Sequence, residues 1–167
     1  MPHDFVIGLG SNLGDREGFL RRGVAQIAEL PGVELCAVSR VFESPPLTPP
    51  QPLYLNAAAR IACASDAHVL LAQLLAIETA LGRVRDVRWG PRVLDLDILW
   101  GSQRIATPEL DVPHRHLRER NFALAPLLDV APELAPEYAA ALAALGGAPP
   151  IHGSLTMSVG QTAAHDT

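Results

Sequence analysis

Hydrophobic positions along this chain fall into short runs separated by turn residues, and their spacing changes from run to run. Phe5-Val6-Ile7-Gly8-Leu9-Gly10 is nearly continuous and predicts a first strand. Ser11-Asn12-Leu13-Gly14-Asp15 then turns the chain into a helix over Arg16–Leu30, with Asp15 placed to cap it and Pro31-Gly32 to end it. Val33–Phe42 predicts a second strand and Tyr54–Ala64 a third. Between them, Glu43–Leu53 carries five prolines, which exclude a helix or a central strand and leave either a stiffened wall or lid over a site or simply a long connection between two strands. Leu70, Leu74, Ile77 and Leu81 recur at helical spacing and predict a helix over Asp66–Leu81, capped by Ser65 or Asp66 and ended by Gly82. Leu94–Trp100 switches to strict alternation and predicts a fourth strand.

The resulting order, βαββαβ, points to an α+β fold: a ferredoxin-like sandwich with a mainly antiparallel sheet and helices on one face. Beyond it, Ser102–Ile105 suits an edge strand, Asp111–His114 a turn, and Asn121–Asp129 and Pro136–Leu145 additional C-terminal helices. From Gly146 onward the composition predicts an irregular tail with one short strand near Thr156–Val159. The expected organisation is therefore one domain over residues 1–146 followed by a 147–167 tail that is not a separate domain.

Composition sharpens this picture at three points. The chain has 167 residues and no lysine, so all 13 basic residues are arginine. That excludes a Walker A phosphate loop and lysine Schiff-base chemistry; phosphate recognition here must use arginine, backbone amides or metal. The net charge of −5 argues against general nucleic-acid binding, yet eight arginines lie between Arg83 and Arg120. Cys36 and Cys63 sit in apolar runs and are expected to be buried, reduced thiols. The start of the chain lacks a signal-peptide pattern and no apolar run is long enough to span a bilayer, so a soluble cytoplasmic protein is expected.

Candidate chemistry concentrates in Gly82–Leu99. Alternation on the fourth strand puts Leu94, Leu96 and Ile98 on one face and Asp95 and Asp97 on the other, their carboxylates about 6–7 Å apart. Arg83, Arg85, Arg88 and Arg92 precede them in a loop with Gly90 and Pro91, and Arg115, Arg118 and Arg120 follow near His114. Guanidiniums for an oligophosphate beside hard oxygen ligands for Mg²⁺ is the chemistry this spacing suggests. Trp89, inside a charged loop, is placed to close over a flat ring, and Asn56, in an otherwise apolar strand, is either a satisfied core amide or a hydrogen-bonding handle for a ligand. Glu78 borders the apolar stripe of its helix, where it either pairs with an arginine of the loop or faces a ligand. His114 is either a phosphate donor or a satisfied turn histidine; His68 and His116 have no patterned company. The glycines at 8, 10 and 14 do not have dinucleotide-loop spacing. Two other classes stay in view: a ferredoxin-like nucleic-acid-binding module, and a non-catalytic domain that binds a small ligand.

At these residues the sequence resembles the 6-hydroxymethyl-7,8-dihydropterin pyrophosphokinase family of folate biosynthesis. The resemblance is carried by GSNLGD (Gly10–Asp15), SPPL…YLNAA (Ser44–Ala58), IE…LGRVR (Ile77–Arg85), RWGPRVLDLDIL (Arg88–Leu99), VPH (Val112–His114) and R-x-F-x-L-x-PL…APEL (Arg120–Leu134). It implies an enzyme that transfers the β,γ-diphosphate of ATP to the hydroxymethyl oxygen of the pterin and releases AMP. It implies that Asp95 and Asp97 hold two Mg²⁺ ions, and that Arg83 and Arg92 act at the transfer site, with Arg83 and Arg85 on a closing loop. ATP would meet Glu78, Arg85, Arg88, Arg92, Ile98, His114 and Arg120. The pterin would lie among Ser44, Pro45, Leu47, Tyr54 and Asn56, between Trp89 and Phe122. A monomer with no nucleic-acid or membrane partner is expected. The chain departs from the pattern at Leu75, where some members carry glutamine, at Ser44, where threonine is common, and at Arg115, where some carry tyrosine.

Overall fold

The computed structural model describes residues 2–48, 50–82 and 93–155. Its elements run β1 (His3–Ser11), α1 (Arg16–Ala28), β2 (Val33–Val38), β3 (Arg40–Ser44), β4 (Tyr54–Cys63), α2 (Ala67–Ala80), β5 (Asp95–Gly101), β6 (Ile105–Ala106), β7 (Asp111–Val112), α3 (Asn121–Val130), α4 (Ala135–Ala144) and β8 (Ile151–Ser154). The main sheet has the order β5-β1-β4-β3-β8, with β2 also pairing β4 and every pairing antiparallel. With β2 and β3 taken as one interrupted strand, this is the ferredoxin-like arrangement expected from the βαββαβ order.

The helix ends follow from named side chains. Asp15 accepts a hydrogen bond from the Gly18 amide at 3.1 Å, and Asp66 one from the Val69 amide at 3.0 Å, each satisfying a first-turn N–H. Gly82 takes φ +98° just past α2, a conformation that a side chain would disfavour.

Several elements differ from the sequence expectation. The strand expected over Val33–Phe42 breaks at Ser39, whose hydroxyl accepts the Ala58 amide at 2.7 Å and so stands in for a ladder bond. Upstream, the register shifts between Leu35 and Ala37, and Cys36 is exposed rather than buried; only Cys63 lies in the core. The expected edge strand at Ser102–Ile105 starts only at Ile105 and pairs with β7 in a separate two-stranded sheet, so Asp111–Val112 is strand rather than turn. Past residue 146, Ile151–Ser154 pairs with β3 and extends the main sheet; the strand expected at Thr156–Val159 lies outside the described residues.

Alternation along the strands builds two apolar layers. Phe5, Ile7, Leu9, Leu96 and Ile98 pack under α1 and α2 with Leu20, Val24, Ile27, Leu70, Leu74 and Leu94. Val6, Ala58 and Leu99 face the other way and are covered by Leu124, Leu127 and Val130 of α3 and Tyr138 of α4. Helices on one face is thus correct for α1 and α2, while the C-terminal helices cover the second face because it too carries large apolar side chains. Among the described residues no helix is long and apolar enough to cross a membrane.

Candidate active site

The second face of the sheet is only partly covered, and register decides what it exposes. Asp95 pairs with Gly10 and Gly10 with Asn56; Asp97 pairs with Gly8 and Gly8 with Ala58. In antiparallel pairing, residues opposite each other share a face. The carboxylates of β5 and the amide of Asn56 therefore stand on the same surface, two strand spacings or about 10 Å apart, with only glycine between Asp95 and Asn56. A Cβ on Gly10 would sit 3.5 Å from Asn56 Oδ1 and 3.4 Å from the Tyr54 ring. The two glycines thus serve as a bare floor.

Above that floor is a cavity of about 660 Å³. Asp95, Asp97, Glu78, His114 and Arg120 line it, and so do Ser44, Pro45, Leu47, Tyr54, Asn56 and Phe122. These residues come from β3, β4, β5, α2, the start of α3 and two loops, so the fold gathers positions up to 78 residues apart in sequence, from Ser44 to Phe122. Ile98 is different: its side chain is buried in the core beneath α1 and α2, not in the cavity. Arg83, Arg85, Arg88, Trp89 and Arg92 lie outside the described residues.

Each end of the cavity has its own chemistry. At one end Asn56, 6% exposed, donates through Nδ2 to Ser44 Oγ at 2.8 Å and to the Phe42 carbonyl at 3.5 Å. This fixes the amide so that its Oδ1 is turned toward the Gly10 gap as an acceptor, while the Ser44 hydroxyl can donate. Phe122 lies at the start of α3, and Arg120, whose guanidinium is 5.8 Å from its ring centroid, stands between this end and His114. At the other end are Asp95 and Asp97, and beside them Glu78, 1% exposed, accepts the Leu96 amide of the edge strand at 3.4 Å.

His114 is brought to the carboxylate end by its backbone, whose N–H donates to the Leu99 carbonyl at 2.9 Å. Its Nδ1 accepts the His116 amide at 3.1 Å, which leaves the neutral ring with its proton on Nε2. Burial pushes its pKa down from 6.5 to about 4, and the nearby Arg120 charge adds to that, against an opposing pull from Asp95.

The cavity is also lined by Gly8, Gly10, Thr48, Gln51 and Leu71, to which sequence reasoning gave no role, by Arg115, which it counted among the candidate arginines, and by His116, which it set aside. A signal existed for the glycines, which alternate on the strand that register places beside the aspartates. His116 gave none, because its contribution is a backbone N–H.

The family model for 7,8-dihydro-6-hydroxymethylpterin-pyrophosphokinase matches residues 6–132, from β1 through the turn after α3. The chain belongs to this pyrophosphokinase family. Proteins named 2-amino-4-hydroxy-6-hydroxymethyldihydropteridine pyrophosphokinase share the likeness. That of Methylorubrum extorquens is 44% identical over 130 residues, covering 77% of this chain and 82% of the relative. That of Bacillus subtilis is 42% identical over 137 residues, covering 81% and 82%. A mitochondrial folate synthesis bifunctional protein of Arabidopsis thaliana is 42% identical over 130 residues, which are 77% of this chain and 23% of that one. In fold, the crystal structure of wild-type Plasmodium falciparum HPPK-DHPS aligns with a TM-score of 0.61 at 13% identity. The alignment covers 80% of this chain, which spans 40% of the solved one. The family places the chain among enzymes of folate biosynthesis, and the nucleic-acid-binding alternative finds no support among these relatives.

Proposed function

We propose that this pyrophosphokinase transfers the β,γ-diphosphate of ATP to the hydroxymethyl oxygen of 6-hydroxymethyl-7,8-dihydropterin at the cavity on the open sheet face. One observation carries the reading: a carboxylate pair and a fixed amide-hydroxyl pair stand at opposite ends of one cavity, across a floor of glycine. The residues also fit the metal that the family implies. Two carboxylates lie on one strand face, and among the described residues no cluster of three ligating side chains occurs. That donor set suits Mg²⁺, which keeps water and phosphate oxygens in its shell, better than a metal needing a full protein cage. Two Mg²⁺ ions bound by Asp95 and Asp97 would neutralise phosphate charge as it develops.

The chain's own residues then have these tasks. Asn56 Oδ1 accepts from the pterin's N–H edge and the Ser44 hydroxyl donates to it, while Tyr54, Leu47 and Phe122 enclose the ring and set the direction of the hydroxymethyl group. His114, neutral with its proton on Nε2, donates to a phosphate oxygen without itself transferring the proton. Arg120 supplies positive charge beside it. As the hydroxyl oxygen forms its bond to the β-phosphorus and loses its proton to solvent, the bond from that phosphorus to the α-phosphate oxygen breaks and AMP departs with the electron pair. Positioning and charge carry most of such a transfer. Arg83 and Arg92, which the family pattern puts at the transfer site, would add guanidinium charge there.

We further propose that residues 1–146 act as one catalytic domain, monomeric and cytoplasmic, with the extension that begins at 147 joined to its main sheet through β8. The test of the activity is AMP formation from ATP, Mg²⁺ and 6-hydroxymethyl-7,8-dihydropterin. Formation of ADP in its place, or no nucleotide turnover by folded protein, would refute the reading.

A further inference from the structure

Arg16 occupies the first position of α1, where the positive end of the helix dipole disfavours a cation. Its partners are not on the helix. Nη1 donates to the Leu53 carbonyl at 2.9 Å and to Glu43 Oε2 at 3.3 Å. Glu43 and Leu53 are the two stems of the proline-rich connection, so one guanidinium ties together both ends of an eleven-residue span. Five prolines make that span stiff, and a stiff loop pivots as a unit about its stems. Fixing the stems therefore fixes the wall that carries Ser44, Pro45 and Leu47 into the cavity. The other end of the brace is rigid: α1 is anchored by Leu20, Val24 and Ile27, each fully buried. Asn12, just upstream, gives the same segment a second hold, donating to Gln51 Oε1 at 3.1 Å and to the Pro52 carbonyl at 3.2 Å. Neither Arg16 nor Asn12 lines the cavity.

Stability does not account for the arrangement. The side chains of the Arg16–Glu43 pair are 29% and 32% exposed, and a pair that open to water contributes little to folding. We propose that Arg16 is a positioning residue: it clamps the two stems of the proline-rich loop and so sets the affinity for the pterin, leaving the nucleotide end alone. This rests on the functional reading above.

The test compares Arg16→Ala, Arg16→Lys and Glu43→Gln with the wild type. The measurements are steady-state AMP formation, thermal unfolding, and direct fluorescence binding of 6-hydroxymethyl-7,8-dihydropterin in the presence of a non-hydrolysable ATP analogue. Arg16→Ala is expected to raise the KM and Kd for the pterin about tenfold, with the KM for ATP and kcat changed by no more than about twofold. Arg16→Lys, which keeps a cationic donor for both stems, should recover most of the affinity, and Glu43→Gln should weaken it about threefold. Should Arg16→Ala fail to fold, the other two variants read the same clamp. An unchanged pterin Kd, or an equal rise in both KM values, overturns the proposal, as does a loss of activity that follows the loss of folded protein and is not rescued by lysine. A wild type that binds pterin but forms no AMP overturns the proposed reaction instead, and the binding series then judges the clamp by itself.

Discussion

On the face of the sheet under α1 and α2, Ile7, Leu9, Leu96 and Ile98 meet Leu20, Val24, Leu70 and Leu74 in an unbroken aliphatic layer. On the opposite face the same two strands, β1 and β5, turn Gly8, Gly10, Asp95 and Asp97 toward an open cavity. A shift of one residue along a strand separates the two environments. The closed face holds the strands in register, and that register alone places the aspartates opposite the glycines. The open face gives up apolar burial, and what it gains is a surface where charge can be gathered close to solvent at little desolvation cost.

Breaking the open face should remove activity and spare the fold. Asp95→Ala or Asp97→Ala is expected to lower turnover about a thousandfold or more, because charge stabilisation by bound metal is worth several kcal/mol. Thermal unfolding of both variants should stay within a few degrees of wild type, since both side chains are only half-buried. Near-normal rates in either variant would end the metal assignment.

Breaking the closed face should do the reverse. Leu74 is fully buried, and Leu74→Ala should cost about 2–5 kcal/mol in urea unfolding while the folded fraction keeps a near-normal kcat. If the cost were under about 0.5 kcal/mol, that layer would not be the closely packed one described.

The floor allows a finer contrast between two glycines two residues apart. A methyl on Gly8 would meet three Leu99 side-chain carbons at 3.0 Å, and Gly8→Ala should destabilise by about 1–2 kcal/mol through this crowding. A methyl on Gly10 meets nothing closer than 3.4 Å. Gly10→Ala should therefore fold normally yet raise the pterin KM severalfold by intruding beside Asn56. Equal behaviour of the two variants in unfolding and kinetics would contradict the floor geometry.

At neutral pH the smallest effect concerns His114. Its folded pKa of about 4 lies below the ordinary 6.5, so the unfolded chain binds the proton more readily. The His114 contribution to stability is thus undisturbed above pH 6.5, falls as pH drops from 6.5 toward about 4, and levels off below. His114→Gln should flatten that slope. NMR titration of the ring should also show its pKa rising when ATP binds, because phosphate charge favours the imidazolium; no rise would remove His114 from the phosphate end.

The main elements were legible because each had a local cause: alternation in β5, the caps at Asp15 and Asp66, the leucine spacing in α2. Part of the candidate site was legible for a related reason, since Asp95, Asp97, Asn56 and Glu78 are polar residues interrupting apolar patterns, whereas Ser44, Pro45 and Leu47 were named only through the family resemblance. What the sequence did not show depended on long-range register or backbone. The break at Ser39 comes from a hydroxyl meeting Ala58, and the pairing of β8 with β3 requires α3 and α4 to bring the chain back across the sheet. The role of the glycines appears only when β1 is laid between β4 and β5. Ile98 was expected at the nucleotide, but its alternation with Asp97 already assigned its side chain to the core. Arg16 looked like the start of a helix until the stems of the proline-rich loop came to rest against it.

The most direct test is a crystal structure with Mg²⁺, a non-hydrolysable ATP analogue and 6-hydroxymethyl-7,8-dihydropterin bound together. Metal density on Asp95 and Asp97 is expected, with the pterin ring against Asn56 and Ser44 and its hydroxymethyl oxygen in line with the β-phosphorus across the glycine floor. A pterin bound elsewhere, or phosphates held without metal at the two aspartates, would contradict the division of the cavity into these two ends.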